Sequence, residues 1–356
     1  MKTKLKKIKF LKFQKIRSHL KLLISFSLIL TLPISSQSLE GKCWKNSFGS
    51  LAYIKAHNTL TGKFTGVYGS TTGSSGYYAI IGKTPPLSSN NQNYKYPLTF
   101  TIGWGSINTP PGDNSQYWTS SMSGVYNTND NFKLLNVISA PGPFDDVKIF
   151  QPANLPQTQS FSLVDAPADK VGCDELKNQQ FPPVITNEAT GIYKDYENLI
   201  KGDWNVDEKN SIGIIKKIAI DSLVPRGQQY DSLIYYEISG SLIFADKSSI
   251  DFTGILSPFI RSQADSTSDD SSINSDTPTD PGIDFKSYNI SEGNEEFSFS
   301  ISIVGTSLDA KSNISLSGYF DGKTSNTLNM FLLDSKANTE FSIDANKISS
   351  GELFIK

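Results

Sequence analysis

The sequence has very little of the side-chain chemistry on which most catalytic and metal sites depend. Its 356 residues include two cysteines and two histidines. A Ser–His triad, a Cys–His pair or a histidine-rich zinc site needs more of these groups, or one that is very well placed. One histidine lies in the basic N-terminal segment; the other, His57, lies in the turn-like stretch Ala56-His57-Asn58. We interpret His57 as a surface residue and expect no metal and no cofactor.

Motifs for nucleotide binding and for activated nucleophiles are also missing. The chain contains no G-x-S-x-G, no Walker loop and no G-x-G-x-x-G between a strand and a helix. Composition leaves one enzyme class open, a hydrolase that works with two carboxylates, but no pair of acidic residues stands out. We therefore expect a protein that is not an enzyme, with a secreted two-carboxylate enzyme as the least favoured alternative.

The N-terminus lacks both acidic residues and a long apolar run. Residues 1–21 carry eight Lys, one Arg and no acid, and Leu22–Leu32 is an apolar run of only 11 residues. A membrane helix needs about 20 residues, so a short membrane anchor is disfavoured. The small residues Ser36-Gln37-Ser38 complete the pattern of a secretory signal. We predict a signal peptide over 1–38 and a secreted protein, extracellular or periplasmic, with no membrane contact after its removal.

Removal of this segment leaves a chain with a clear excess of acid. Residues 1–38 carry nine of the 33 Lys and Arg and none of the 35 Asp and Glu, so the remaining net charge is about −11 at pH 7. A polyanion would be repelled by such a chain. We therefore expect neither a nucleic acid nor an anionic membrane as partner.

Both cysteines, Cys43 and Cys173, lie after the predicted signal. An even number of cysteines in an exported chain suggests a disulfide. We predict that these two form one, which would tie residue 173 back to the first strand. The alternative is two unpaired small residues, one of them buried.

Short strand patterns separated by turns fill residues 39–166, without an amphipathic helix. In Phe100–Trp104, for example, Phe100, Ile102 and Trp104 alternate with small or polar residues and would share one face. Eight such stretches follow one another closely. We predict an all-β, eight-stranded antiparallel up-and-down barrel, which removes the exposed edges of a meander; a sandwich is the alternative.

The most informative stretch is Trp44–Ser50, directly after the predicted signal. Asn46, Phe48 and Ser50 are two residues apart, so on a strand an amide, a ring and a hydroxyl would point to the same side. With this stretch come G-x-x-W-x-N-x-x-G-S at 41–50, T-G-x-F-T-G-x-Y at 61–68 and a Ser/Thr/Gly loop after Tyr68. Over about 125 residues the chain resembles the avidin/streptavidin family of biotin-binding barrels.

The resemblance implies a biotin site in this barrel. The three family donors to the ureido oxygen of biotin fall on Asn46, Ser50 and Tyr68. Three donors on one carbonyl oxygen would polarise it strongly in a dry pocket. The other family positions are two pocket hydroxyls, a loop that closes over the ligand's carboxylate and an aromatic wall, and they fall on Ser70, Ser120, Thr72, Gly73, Ser74 and Trp104.

The resemblance also has departures, which lie mainly in the apolar wall. A second wall aromatic falls on Met122, and a further family Trp falls near Asn136 or Val137, where this chain has no aromatic residue. A carboxylate-contacting Ser falls near Trp118, and the acceptor of the second ureido N–H falls on Gln159. Two lost aromatics would weaken affinity by orders of magnitude unless Trp118 or Phe150 refills the wall. An alternative is therefore a secreted barrel that has lost biotin and binds another small apolar ligand or a protein.

A second strand-rich region begins near residue 185. Gly202-Asp-Trp204 echoes the first motif, and Ser315–Tyr319 echoes Ser121–Gly124. We interpret 167–184 as a linker and 185–356 as a diverged second barrel with a disordered loop near 262–282; an unrelated β-sandwich is the alternative. The two barrels would form a pseudo-dimer within the chain, and oligomerisation is left open.

The second barrel lacks the residues of the predicted biotin site. Leu242 falls where the first barrel has Tyr68, Ile303 falls on Trp104, and Leu316 falls near Met122. The stretch after Trp204 offers Val206, Glu208 and Asn210 on one face instead of the Asn and Ser donors. We therefore expect one biotin for each chain.

Overall fold

The computed structural model describes the chain from residue 38 in fourteen ranges, which together hold its two sheets, a helix of 12 residues and a helical turn at 197–200. From Leu39 to Lys356 the chain forms one compact unit. The predicted signal segment before residue 38 and the predicted disordered loop, apart from Ser262, lie outside the described residues. The ranges are 38–70, 76–86, 96–107, 117–126, 131–140, 153–164, 167–186, 197–206, 215–227, 233–262, 295–306, 312–321, 327–336 and 348–355.

The first sheet is a closed antiparallel barrel of eight strands in chain order, in which the first strand also pairs with the eighth. Closure removes both sheet edges, as the sequence pattern predicted. The strands are β1 Cys43–Asn46, β2 Leu51–His57, β3 Lys63–Ser70, β4 Gly76–Lys83, β5 Tyr96–Ser106, β6 Thr119–Tyr126, β7 Asn131–Ala140 and β8 Ala153–Leu163.

The second sheet repeats this architecture, so the prediction of two tandem up-and-down barrels is confirmed. Its eight strands also follow chain order, and its first strand closes on its last. They are β9 Gly202–Val206, β10 Ile215–Gly227, β11 Leu233–Phe244, β12 Ser249–Ser262, β13 Glu295–Thr306, β14 Ser312–Asp321, β15 Thr327–Lys336 and β16 Ile348–Ile355.

Alternation along the strands of the first barrel decides which side chains point into the barrel interior. The interior cluster contains Trp44, Tyr126 and Phe132, whose rings meet edge to face at centroid distances of 6.3 and 5.4 Å from Trp44. The residues between them along each strand point to the outside. Tyr68, Tyr78, Phe100, Met122 and Leu134 belong to the same interior face.

The outer face of the first barrel packs against the second barrel, and much of this contact is made by hydroxyls. Ser302 donates to Thr119 at 2.9 Å, and Ser315 lies 3.1 Å from Ser121. Gly103 leaves space for Ile255, because a Cβ at residue 103 would come within 2.8 Å of the Ile255 methyl group. The serines that alternate with interior residues in β6 and β14 point away from the barrel interiors, and they are buried because the two barrels pack against each other there.

A helix, α1 (Pro167–Asn178), lies in the segment that the sequence analysis interpreted as a linker. Proline at the first position, Asp169 in the first turn and Lys177 in the last turn are favourable at these helix ends. The sequence signal for this helix is weak because its apolar side is narrow. Cys173 and Leu176 provide most of it.

The helix is attached to the outside of the first barrel. Cys173 forms the predicted disulfide with Cys43, with 6.1 Å between the two Cα atoms, so that prediction is confirmed. Leu176 lies against the backbone of Gly69, where a Cβ would come within 2.9 Å of it. Lys45 and Asp169 add an ion pair of 2.9 Å at the surface.

The prediction that His57 is a surface residue is wrong, because the start of the described chain crosses over it. His57 is 7% exposed. Its Nδ1 accepts a hydrogen bond of 3.1 Å from the backbone N–H of Leu39, and its Nε2 lies 3.2 Å from the hydroxyl of Thr84. The local turn residues were recognised, but the covering segment comes from 18 residues earlier in the chain.

Removal of the disulfide should destabilise the chain, because it links positions that are 130 residues apart. For the double variant Cys43→Ser/Cys173→Ser we expect a loss of about 2–4 kcal/mol in the free energy of unfolding. Urea unfolding of the wild type with and without reductant provides the matched comparison. Two free thiols in the mass spectrum of the unreduced wild type would contradict the assignment.

His57 should make the stability depend on pH. Burial lowers the pKa of His57 in the folded chain, while the charge of Glu40 acts in the opposite direction. As the pH falls below about 6.5, the unfolded chain takes up a proton that the folded chain resists, so the free energy of unfolding decreases. Urea unfolding at pH 7.5 and 5.5 should give a larger decrease for the wild type than for His57→Gln. Equal decreases would assign the pH dependence to other groups.

Candidate ligand-binding site

The polar end of the candidate site begins at the turn between β1 and β2. Asn46 is the last residue of β1 and is 5% exposed. Its Oδ1 accepts the backbone N–H groups of Phe48 at 3.0 Å and Ser50 at 2.8 Å. This side chain therefore adds to the backbone pairing at the turn, where the N–H of Asn46 donates to the Ser50 carbonyl at 2.8 Å. It leaves the amide nitrogen available for a bond outside the turn.

The amide nitrogen of Asn46 connects this turn to β3. It donates a hydrogen bond of 2.8 Å to the hydroxyl of Tyr68, which also hydrogen-bonds with the Ser50 side chain. The three predicted donors thus form one cluster. Burial raises the pKa of Tyr68, and the hydrogen bonds with Ser50 and Asn46 oppose that increase. The hydroxyl consequently keeps its proton at neutral pH and can act as a donor.

Phe48 does not join this cluster. The strand alternation predicted across 46–50 is wrong, because β1 ends at Asn46 and β2 begins only at Leu51. The residues between form a turn, in which Gly49 has a φ of 92°. Phe48 is 50% exposed, while Asn46 and Ser50 are buried.

An aromatic group lies beside the polar cluster. The centroid of the half-buried Trp104 ring lies 6.0 Å from that of Tyr68, with the two rings edge to face. It lies 5.1 Å from the centroid of the Tyr78 ring, which is tilted against it. Its Nε1 donates to the Ser120 hydroxyl at 2.7 Å, which fixes the orientation of the indole. The β4–β5 register shifts between Tyr78 and Ala79, so Trp104 lies at an irregularity of the sheet.

The remaining predicted residues lie at several levels of the barrel. Met122 is buried in the interior on β6. Trp118 is partly buried and precedes that strand, and its backbone carbonyl accepts the backbone N–H of Trp104 at 3.0 Å. Ser70 ends β3, and Gln159 lies in β8 opposite Leu134. Thr72, Gly73 and Ser74 lie outside the described residues.

Two interior residues belong to this region that the sequence analysis did not assign to the site. Tyr78 pairs with Tyr68 across β3 and β4, and its ring touches Trp104. Asn136 pairs with Met122 across β6 and β7 and is fully buried. Strand alternation could have found both, since each is an even step from interior residues on its own strand.

The described part of the site is built from neutral groups. Amide, hydroxyl and indole groups can donate and accept hydrogen bonds, but they offer no carboxylate or imidazole for proton transfer. In the described ranges, no group of three or more His, Cys, Asp or Glu could hold a metal ion. No helix in those ranges has the length and apolarity that crossing a membrane requires. The arrangement suits recognition of a neutral polar group next to aromatic rings.

No protein-family model and no curated protein matches this chain. Solved structures similar to it include apo shwanavidin, with 19% identity, a TM-score of 0.27, and coverage of 37% of this chain and 100% of that chain. The bradavidin2–biotin complex has 15% identity, a TM-score of 0.26, and coverage of 35% and 98%. Core-bradavidin has 17% identity, a TM-score of 0.26, and coverage of 35% and 98%. These avidin-family structures each match little more than a third of this chain.

Proposed function

We propose that this chain is a secreted, non-enzymatic protein that binds biotin, or a biotin-like small molecule, in its first barrel. The observation that carries the proposal is the cluster of Asn46, Ser50 and Tyr68 inside a closed barrel, joined by a hydrogen bond of 2.8 Å between Asn46 and Tyr68. These are the three residues that the family resemblance assigns to the ureido oxygen. They come from different elements and meet only in the folded chain.

The chemistry of the cluster fits a ureido carbonyl. Such an oxygen accepts several hydrogen bonds at once, and its charge is stabilised more strongly in a water-poor interior than in solvent. The fused rings of biotin would then face Trp104, which lies 6.0 Å from Tyr68. The disulfide supports secretion, because such bonds persist in oxidising compartments.

A second candidate, a barrel that binds a different small ligand, is favoured by the wall at β6 and β7. There the interior positions are the flexible Met122 and the polar Asn136. A wall of this kind gives less rigid aromatic contact with a purely apolar ring. This observation affects the identity of the ligand more than the location of the site.

The interior of the second barrel supports a single ligand site in the chain. Leu242, Ile303 and Leu316 are completely buried there. Trp204 lies 5.9 Å from both Phe299 and Phe320, and those two rings stack at 5.1 Å. A carbonyl placed among these apolar groups would lose its donors. Glu208 and Asn210, the polar residues that follow Trp204 in the sequence, lie outside the described residues.

Replacement of the Tyr68 hydroxyl should weaken biotin binding. We expect Tyr68→Phe to lose roughly 1–3 kcal/mol of binding free energy, because a buried acceptor would lack one donor. Titration calorimetry measures this, and Trp104 fluorescence should change when biotin binds. Tyr53→Phe is the matched control, since Tyr53 pairs with Val67 on the outer side of the same barrel. The absence of both heat and a fluorescence change at millimolar biotin would refute the proposal.

The stoichiometry provides a separate test. The intact chain should bind one equivalent of biotin, because the second barrel offers an apolar interior in place of the donor cluster. Calorimetric titration of purified protein of known active concentration gives this number directly. In Tyr68→Phe the number should remain one while the affinity falls. A titration that ends at two equivalents would place a second site outside the first barrel.

A further inference from the structure

Asn136 is an amide buried inside the first barrel, and its side chain has no hydrogen-bond partner among the described residues. It lies on β7, two residues after Leu134 and opposite Met122, and both of these side chains belong to the interior cluster. Alternation therefore places Asn136 on the same interior face. It is 0% exposed, and among the described residues neither its Nδ2 nor its Oδ1 has a partner.

Several other buried polar side chains of this barrel have partners. The hydroxyl of Thr99 donates to the carbonyl of Met122 at 2.7 Å, and that of Thr101 donates to the carbonyl of Ile81 at 3.2 Å. Ser120 accepts the Trp104 indole N–H. A buried amide without partners destabilises a fold, whereas an apolar side chain of similar size would fit without that penalty. Both polar atoms of the Asn136 side chain therefore call for a partner, either a ligand or an internal water.

Asn136 lies on the wall that the proposed ligand would face. In the β6–β7 register Ser120 pairs with Ile138 and Met122 pairs with Asn136, so Ser120 is the diagonal neighbour of Asn136 on one face. Ser120 in turn holds Trp104, which touches Tyr68. A row of neighbouring interior residues thus leads from the polar cluster to this amide.

We propose that Asn136 is a specificity-determining residue that hydrogen-bonds a polar atom on the ligand's second ring. The proposal rests on the proposed function, because it places the ureido group of the same ligand at Asn46, Ser50 and Tyr68. A carboxamide offers an N–H donor and a carbonyl acceptor, and a thioether ring satisfies neither well. The ligand class is a biotin-like bicyclic urea that carries a hydrogen-bond acceptor on that ring, of which an S-oxide is the simplest example.

The test compares two ligands on matched variants. Biotin and biotin sulfone share the ureido group and the tail, and differ by two oxygen acceptors on the sulfur. Titration calorimetry with the full chain gives the ratio of their dissociation constants for the wild type and for Asn136→Leu, which removes the amide at nearly constant volume. We expect the preference for the sulfone over biotin to fall by about five- to tenfold in the variant, as for the loss of one buried hydrogen bond.

Two further variants separate recognition from general effects on packing. Asn313→Leu removes another fully buried asparagine, whose Oδ1 also lacks a partner among the described residues, but this one lies on β14 of the second barrel. It should leave the ligand preference unchanged. If Asn136→Leu does not fold, the smaller Asn136→Val should show the same decrease in preference.

Each outcome bears on the proposals differently. Binding of biotin with a ligand preference that is the same in the wild type and the Asn136 variant overturns the role of Asn136 and leaves the proposed function intact. It would indicate an internal water as the partner of the amide. Binding of neither compound by the wild type overturns both proposals. A decrease confined to the Asn136 variants supports the assignment.

Discussion

The candidate site depends first on the side chain of Asn46. Its oxygen holds two backbone N–H groups of the β1–β2 turn, and its nitrogen holds the hydroxyl of Tyr68 on β3. One buried amide thus joins the β1–β2 turn to a strand on the far side of β2. Because the bonds with Ser50 and Tyr68 are buried, loss of the amide would leave buried polar groups without partners. The conformation of the turn and the arrangement of the donor cluster therefore both depend on the side chain of Asn46.

The outer face of the first barrel is constrained by two different neighbours. The disulfide and Leu176 fix helix α1 against β1 and β3, where Gly69 permits close contact. The second barrel covers other strands through hydroxyl pairs such as Ser302 with Thr119. Hydroxyl pairs satisfy each other's hydrogen bonds and allow close approach of two sheets, although they bury little apolar area. A mixed contact of this kind explains why β6 is buried along both faces.

Much of the fold could be predicted from the sequence, because alternation and turn residues carry local information. Phe100, Ile102 and Trp104 were placed on one face from their spacing, and in the structure all three belong to or pack against the interior cluster. Phe48 was misplaced because the same spacing of two occurs in a turn, where side chains no longer alternate. Helix α1 was missed because a helix that docks with one leucine and a cysteine has almost no apolar period.

The candidate site was less predictable wherever it depends on contacts between distant strands. The cluster of Asn46, Ser50 and Tyr68 was proposed from family spacing, and the hydrogen bonds that unite it are visible only in the folded chain. Tyr78 was not identified, and Asn136 was noted only for the missing aromatic, because each becomes relevant through its partner on the neighbouring strand, Tyr68 and Met122 respectively. Burial of His57 likewise depends on a segment that is distant in sequence. Sequence patterns identify faces of strands, but the pairing register decides which residues on those faces meet.

The second barrel takes part in the site even though its own interior is apolar. Ile255 packs on Gly103, the residue that directly precedes Trp104, and it lies close enough to exclude any Cβ there. Thr119, which hydrogen-bonds to the second barrel, directly precedes Ser120, the partner of the Trp104 indole. The second barrel therefore contacts both Gly103, the residue before Trp104, and Thr119, the residue before the hydrogen-bond partner of Trp104. Side chains in a binding site lose less entropy on binding when their supports are already fixed. A tandem arrangement achieves this within one chain, so the support is present at any protein concentration.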